Sequence, residues 1–427
     1  MKSILFLIGS GETRTYVAFI LMSFIVGIFI QGTVLSRGTE RMYQDGDVIT
    51  PWIEKGYLKL GGMRWKDDVV KKTYPWFYLY PAFLLEKGHY FLFGTFSYRL
   101  LAVHNQVIVG ISAASLGYFA FVVSMAVRAR RFESLIFGFS ALAVYQTFPW
   151  NIASYFRLYP THFWMMFSSL LMVVVMKELK SNTKPDAKKN KIKSILAFLL
   201  FYTEYIASTL LVVSITILSF FFIKKNLALV KLIRSLIIPG VLAIGVFLSS
   251  LIYIKVAFPD VTWGGSTFLN RSGLDGDATY YFTNKALLSR SGYTPSYLQF
   301  SKNIEILSDW KFIFILGALG LIACYTYYAL TNNPVKKNIL AAILVCVGAM
   351  IMQYAIFGAL FTQAAVTHPF GYDIYLAGPL IICGFAILPS IVGKFLHRYR
   401  AWPIFFLFIA FYVSMSQLRL FALVFPK

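Results

Sequence analysis

Acidic side chains are scarce in this chain: 18 Asp and Glu stand against 40 Lys and Arg in 427 residues, and charged residues of both signs make up only 14%. A soluble globular protein carries about 25% charged residues, so a surface that faces water all round is excluded. The net charge of +22 would suit a nucleic-acid partner. The basic residues, however, cluster in short stretches between apolar runs, as positive-inside sorting distributes them, and no nucleic acid is expected. Cysteine is almost missing. Cys324, Cys346 and Cys383 all fall inside apolar runs. They show neither metal-site spacing nor a disulfide framework, which leaves packing as their role. A signal-peptide core is lacking too, since "MKSILFLIGSGETR" offers one lysine and only a short apolar run. No small-residue cleavage site follows over 15–35, so that segment is expected to be an uncleaved first span.

What the chain has in excess is apolar length: 58% of residues are hydrophobic and 18% aromatic. A hydrocarbon core of roughly 30 Å needs about 20 apolar residues per helix. Apolar segments fall near 15–35, 99–127, 134–149, 152–176, 194–203, 206–223, 236–257, 312–331, 339–365, 374–393 and 403–424. Basic stretches lie at 128–131, 177–193, 224–234, 332–337 and 394–400. Placing all five in the cytoplasm satisfies the positive-inside rule. Between the second and third lie only 30 apolar residues. Two crossings there give helices of about 22 Å each, short but workable when protein shields them. Glu204 then marks the outer apex. The reading is an all-α polytopic membrane protein of about eleven transmembrane helices, N-terminus in and C-terminus out, over the whole of 1–427.

Two long extracytoplasmic segments result, 36–98 and 258–311. The first is rich in aromatics, with Trp52, Trp65, Trp76, Tyr78 and Tyr80 suited to the headgroup region, and is expected to hold interfacial helices. It also carries "DGDVITPWIEKG", with Asp45 and Asp47 around one glycine. Asp-Gly-Asp is ordinary turn chemistry. Beside a low-dielectric membrane face, though, a carboxylate can have its pKa raised, which suits general-base work, or the pair could bind Mg²⁺ or Mn²⁺ through oxygen. The second segment repeats Asp-Gly-Asp at Asp275 and Asp277 in a Gly-, Ser-, Thr- and Tyr-rich context suited to polar recognition or a lid.

Charged and polar residues within or beside spans are the other candidates, because hydrocarbon makes them costly. Arg157, in "NIASYFRLYPTHF", sits about five residues into an apolar segment, where it could also snorkel. Arg99 opens the second span and His104 lies one to two turns deeper. His368, Tyr372, Asp373 and Tyr375 enter a late span, where an interfacial aromatic belt is the plain alternative. His89, His162 and His397 have no partner legible in sequence.

The order of these features resembles the GT-C superfamily of membrane glycosyltransferases, including the protein mannosyltransferases and aminoarabinose transferases that use polyprenyl-phosphate sugars. The likeness rests on "DGDVITPWIEKG", on "YPWFYLYPAFLLEKGHYFLFGTFSYRLLAVHNQVIVGISAASLGYFAF", on "LLFYTEYIASTLLVV" and on "THPFGYDIYLAGPLII". It implies an early acidic residue of the first outer loop as catalytic base, which here is Asp45 or Asp47, although Gly46 separates acids that the family pattern sets side by side. Departing phosphate would meet Arg99, Arg157, His104 or His368, while Glu204, Tyr372, Asp373 and Tyr375 would line the substrate site. The implied partners are a polyprenyl-phosphate sugar donor, a lipid, glycan or protein acceptor and the bilayer, with Mg²⁺ or Mn²⁺ as the one candidate cofactor. The short lysine-rich loops lean toward a bacterial or archaeal plasma membrane. Two other readings stay open: an O-antigen polymerase or ligase relying on Arg271 and Arg290, and a lipid or solute transporter, for which inverted repeats would be the sign.

Overall fold

The computed structural model describes residues 10–33, 64–65, 69–70, 80–127, 130–155, 160–180, 187–223, 226–257, 307–360, 369–395 and 402–424. Helix α1 spans Ser10–Thr33, and a two-residue antiparallel pairing follows, β1 (Arg64–Trp65) with β2 (Val69–Val70). Next come α2 (Tyr80–Phe93), α3 (Tyr98–Val127), α4 (Arg131–Gln146), the single turn α5 (Pro149–Ala153) and α6 (Pro160–Lys180). Then follow α7 (Ala187–Thr203), α8 (Tyr205–Phe222), α9 (Asn226–Ala257), α10 (Leu307–Leu330) and α11 (Pro334–Leu360). The last elements are α12 (Pro369–Ile382), a π-helical turn (Cys383–Ile387), α13 (Leu388–Phe395) and α14 (Trp402–Val424).

Nine of these helices are long and apolar enough to cross a membrane. Their outward faces carry large apolar side chains, with Val241, Leu242, Val256, Phe405, Phe408 and Phe411 all exposed. Apolar area on that scale is stable only against lipid. The protein is thus a multi-pass integral membrane protein. Two of the apolar segments read from the sequence hold shorter helices, α4 and α7, of 16 and 17 residues. Each of the eleven apolar segments read from the sequence contains a helix, though several bounds differ. The basic stretch at 224–234 is not a loop throughout, because α9 begins at Asn226 and runs for 32 residues. At 1.5 Å per residue that is about 48 Å, so its first turns extend past a hydrocarbon core of roughly 30 Å. The segment read as one run from 152 divides as well: α5 ends at Ala153, and α6 opens on Pro160. Proline suits a first helical position and disfavours helical geometry in the residue before it.

Helices α1, α3, α4 and α6 pack together, α14 covers α4, and α12 with its π turn inserts against α3, α4 and α10. A second group, α7 to α11, joins through α6–α7, α7–α9, α8–α11 and α11–α12 contacts. The α3–α4 crossing is set by two glycines. A Cβ on Gly138 would stand 2.6 Å from the Phe19 ring and 2.8 Å from the Gly117 carbonyl oxygen. A Cβ on Gly117 would in turn meet the Gly138 carbonyl oxygen at 2.9 Å. Backbones approach this closely only where side chains are missing, the common device of helix association in lipid.

Gly138→Ala is therefore expected to destabilise the detergent-solubilised protein by about 1–3 kcal/mol through overpacking. Gly245→Ala, where nothing lies within 4 Å, should be neutral or slightly stabilising. Thermal unfolding of the two purified variants checks the contrast.

Candidate functional site

Heights along the helices locate a polar layer inside the bundle. Ser23 lies 13 residues above the start of α1, Gln146 15 above the start of α4, and Gln417 15 above the start of α14. These offsets correspond to about 20–23 Å at 1.5 Å per residue. α4 is short, so its C-terminus and the α5 turn fall within the bundle and bring polar groups to this level. The Gln146 amide nitrogen donates to the Ser23 carbonyl at 2.9 Å and lies 3.5 Å from the Tyr155 hydroxyl. Thr147 donates to the Gln417 side-chain oxygen at 2.9 Å, and Asn151 donates to the Tyr145 carbonyl. Gly27 leaves room for the layer, since a Cβ there would stand 2.9 Å from the Gln106 amide nitrogen and 3.2 Å from that of Gln146.

His104 belongs to the same region. Its Nδ1 lies 3.0 Å from Asn105 Oδ1, while the Asn105 amide nitrogen donates to the Tyr155 carbonyl at 3.3 Å. That second bond fixes the amide, so Oδ1 accepts and Nδ1 of His104 carries the proton. Nε2 is then left as a buried atom with no partner among the described residues. Gln146 Oε1, Asn151 Oδ1 and both ring nitrogens of His162 are buried without partners in the same way. His162 is 0% exposed and sits in the first turn of α6. Buried polar atoms without partners are costly, and five of those among the described residues belong to α3 and to the α4–α5–α6 turn, while others, such as those of Tyr118, Ser219 and Gln353, lie elsewhere in the bundle.

The structure does not assemble every residue singled out from the sequence. Asp45, Asp47, Arg157 and His368 lie outside the described residues. Arg99 is placed only as part of the first turn of α3, and Tyr372 and Asp373 only by their helical positions in α12. Tyr375 is a packed core residue, edge-on to Trp164 at 4.6 Å and 6.3 Å from the Phe357 ring. Glu204 is the single residue between α7 and α8, with non-helical backbone angles of −150° and 86°. Ser208 closes the bend, its hydroxyl donating to the Leu200 carbonyl at 3.0 Å and also to that of Glu204. Among the described residues no hydrogen bond or ion pair ties Glu204 to the His104 layer. Nor do three His, Cys, Asp or Glu side chains come together there as a metal site.

Asn105, Gln146, Asn151 and Tyr155 were not singled out by charge, because none carries any. Their legible signal was a neutral amide or phenol inside an apolar run.

Outside the spans, burial also holds the Glu86 carboxyl of α2 above its usual range, opposed by the Ser97 N–H bond at 3.0 Å and by His89. Burial pushes the Glu204 carboxyl up to about 8. A carboxyl raised in the folded state stabilises the fold below its unfolded value near 4.3, and that stabilisation is lost as pH rises through about 8. The thermal midpoint of the wild type should fall across this window. Glu204→Gln should flatten the profile and be the more stable protein at pH 9. A parallel decline in both proteins would show that Glu204 does not govern it.

No family model matches this chain, and no curated protein matches it.

Proposed function

We propose that the protein is a membrane glycosyltransferase of the GT-C kind, moving one sugar from a polyprenyl-phosphate carrier to an acceptor on the extracytoplasmic face. The observation that most supports this reading is the group of unpartnered polar atoms around His104, Gln146, Asn151 and His162. They lie in the half of the bundle away from the basic α3–α4 connection, which is the half in which α1 ends before the sequence that carries Asp45 and Asp47. In this reading the chain crosses eleven times, in a bacterial or archaeal plasma membrane, with α4 and α7 as the short crossings.

The chemistry asks for little. An acceptor hydroxyl attacks the anomeric carbon, the bond from that carbon to the phosphate oxygen breaks, and the hydroxyl proton passes to a carboxylate. Asp45 or Asp47 is the base. Departing polyprenyl phosphate is held by cationic or proton-donating side chains, with Arg99, Arg157, His104 and His368 as candidates. Glu204, Tyr372, Asp373 and Tyr375 are the substrate-side candidates, and Mg²⁺ or Mn²⁺ would bind, if anywhere, at the two aspartates. The acceptor class is a lipid, a glycan or a protein.

A transporter is the second reading. It draws on α12, where Pro379 precedes the π turn Cys383–Ile387, a helix interruption of the sort transporters use.

Purified protein given labelled polyprenyl-phosphate sugars and a crude membrane acceptor fraction, with products read by mass spectrometry, separates the two. Transfer is expected, and Asp45→Ala or Asp47→Ala should reduce it by about 10²–10⁴-fold, the usual worth of a general base. Membrane insertion and elution volume should not change. Full transfer in both single variants and in the double variant overturns the assignment. Flux into liposomes without sugar transfer favours the transporter.

A further inference from the structure

At the opposite end of the same four helices is a cleft of about 720 Å³, lined by α1, α3, α4 and α6. Its rim is charged, with Arg131 from the first turn of α4, Lys177 and Lys180 from the last turn of α6, and Glu12 from the first turn of α1. Lys177 is committed to Glu12, its ammonium lying 2.7 Å from both carboxylate oxygens. Arg131 makes only a long 3.5 Å bond to the Thr15 hydroxyl, and Lys180 has no ion pair among the described residues. Among the described residues two cations at the mouth are therefore left without an acidic partner. The N-terminal turns of α1 and α4 meet the C-terminal turns of α3 and α6 here, so the helix dipoles offset and the side-chain cations set the charge of the mouth.

The floor differs from the rim. Phe121, Val122, Met125, Ala126 and Met176 make it apolar. At its depth lies Tyr118, 1% exposed, which lines the cleft and whose buried hydroxyl has no hydrogen-bond partner among the described residues. Tyr118 stands nine residues above the end of α3, which is about 14 Å. The interfacial zone of one leaflet is only about 5–8 Å thick, so the cleft runs from headgroup level into acyl-chain level.

We propose that this cleft binds an anionic phospholipid of the leaflet carrying the basic stretches. The phosphate lies between Arg131 and Lys180, the acyl chain follows the apolar wall, and Tyr118 donates to the glycerol-ester region. A free phosphate would satisfy the rim but would leave both the apolar wall and the buried hydroxyl unused. The proposal does not depend on the glycosyltransferase reading.

The test uses the full-length protein in neutral detergent, titrated with phosphatidylglycerol, with phosphatidylcholine of the same chains, or with inorganic phosphate. Binding is read by native mass spectrometry and by thermal shift. Phosphatidylglycerol should bind and stabilise, whereas phosphatidylcholine and phosphate should do so much more weakly. Arg131→Gln with Lys180→Gln should weaken phosphatidylglycerol binding about 30-fold, from two near-surface cations. Tyr118→Phe, which keeps the ring, should weaken it several-fold. Equal binding of the two lipids, or wild-type affinity in the double variant, overturns the proposal. Phosphate matching the anionic lipid makes this a soluble-anion site instead. Should the double variant fail to fold, Tyr118→Phe decides alone, and unchanged affinity there overturns the lipid assignment.

Discussion

A polar group inside a helical bundle in hydrocarbon has no water to fall back on, and the layer around Gln146 shows what that constraint does to a fold. The Gln146 amide reaches the Ser23 carbonyl of α1, Thr147 reaches Gln417 of α14, and Asn105 of α3 reaches the Tyr155 carbonyl beyond α5. The first two bonds join different helices at about the same height, and the third ties α3 to the turn beyond α5 further toward the start of α3, so together they help fix the register of α1, α3, α4 and α14. Apolar packing alone does this poorly, because lipid tails are as apolar as leucine and give helices little reason to prefer one sliding position. Polar bonds supply that preference. Glycine allows it at Gly27, where any side chain would displace the amides.

Further bonds repeat the pattern at the end of the bundle that carries the α3–α4 connection. Lys193 is buried and donates to Glu178 at 2.6 Å, tying α7 to α6. Ser124 lies 2.7 Å from Ser390 and 3.1 Å from Ser134, joining α3, α13 and α4. Not every group there is paired, since the buried Tyr118 hydroxyl has no partner among the described residues. The His104 level has atoms left over as well. A buried polar cluster that is only partly satisfied has a cost, and folds keep such costs where binding or chemistry recovers them.

Helix positions were legible in the sequence because long apolar runs mean little else. Glu204 was legible as a break, since one acid between two apolar runs has no other place to go, and α7 and α8 do meet at that residue. The α4–α5–α6 turn was not. Residues 134–176 read as apolar runs, and only Pro149 and Pro160 hint that a helix stops within the bundle. The amide layer was hidden for a related reason. Hydropathy registers Asn105 or Gln146 as a minor dip, whereas its cost depends on burial and on partners up to 123 residues away. Charge led to His104, but sequence could not reveal that Asn105 would hold its proton on Nδ1.

The region between the two polar zones bears on what the molecule can do. Phe19 packs against Tyr118, Phe121 and Phe139, with ring centroids 4.7–6.3 Å apart, directly over the Gly117–Gly138 crossing. The Gly117 backbone also leaves no space beside Leu142. A tightly packed aromatic plug, flanked by the buried Tyr16–Ser115 and Ser112–Tyr145 hydroxyl pairs, thus stands between the His104 layer and the cleft at the other end. Solute transport along this axis would require the plug to part, and the close glycine contacts resist small displacements because they are backbone against backbone. Chemistry at one membrane face needs the opposite property: a polar recess shut off from the other side, so that neither protons nor ions leak past it. The plug is the feature that an enzyme of one face would keep and a transporter would have to dismantle in every cycle.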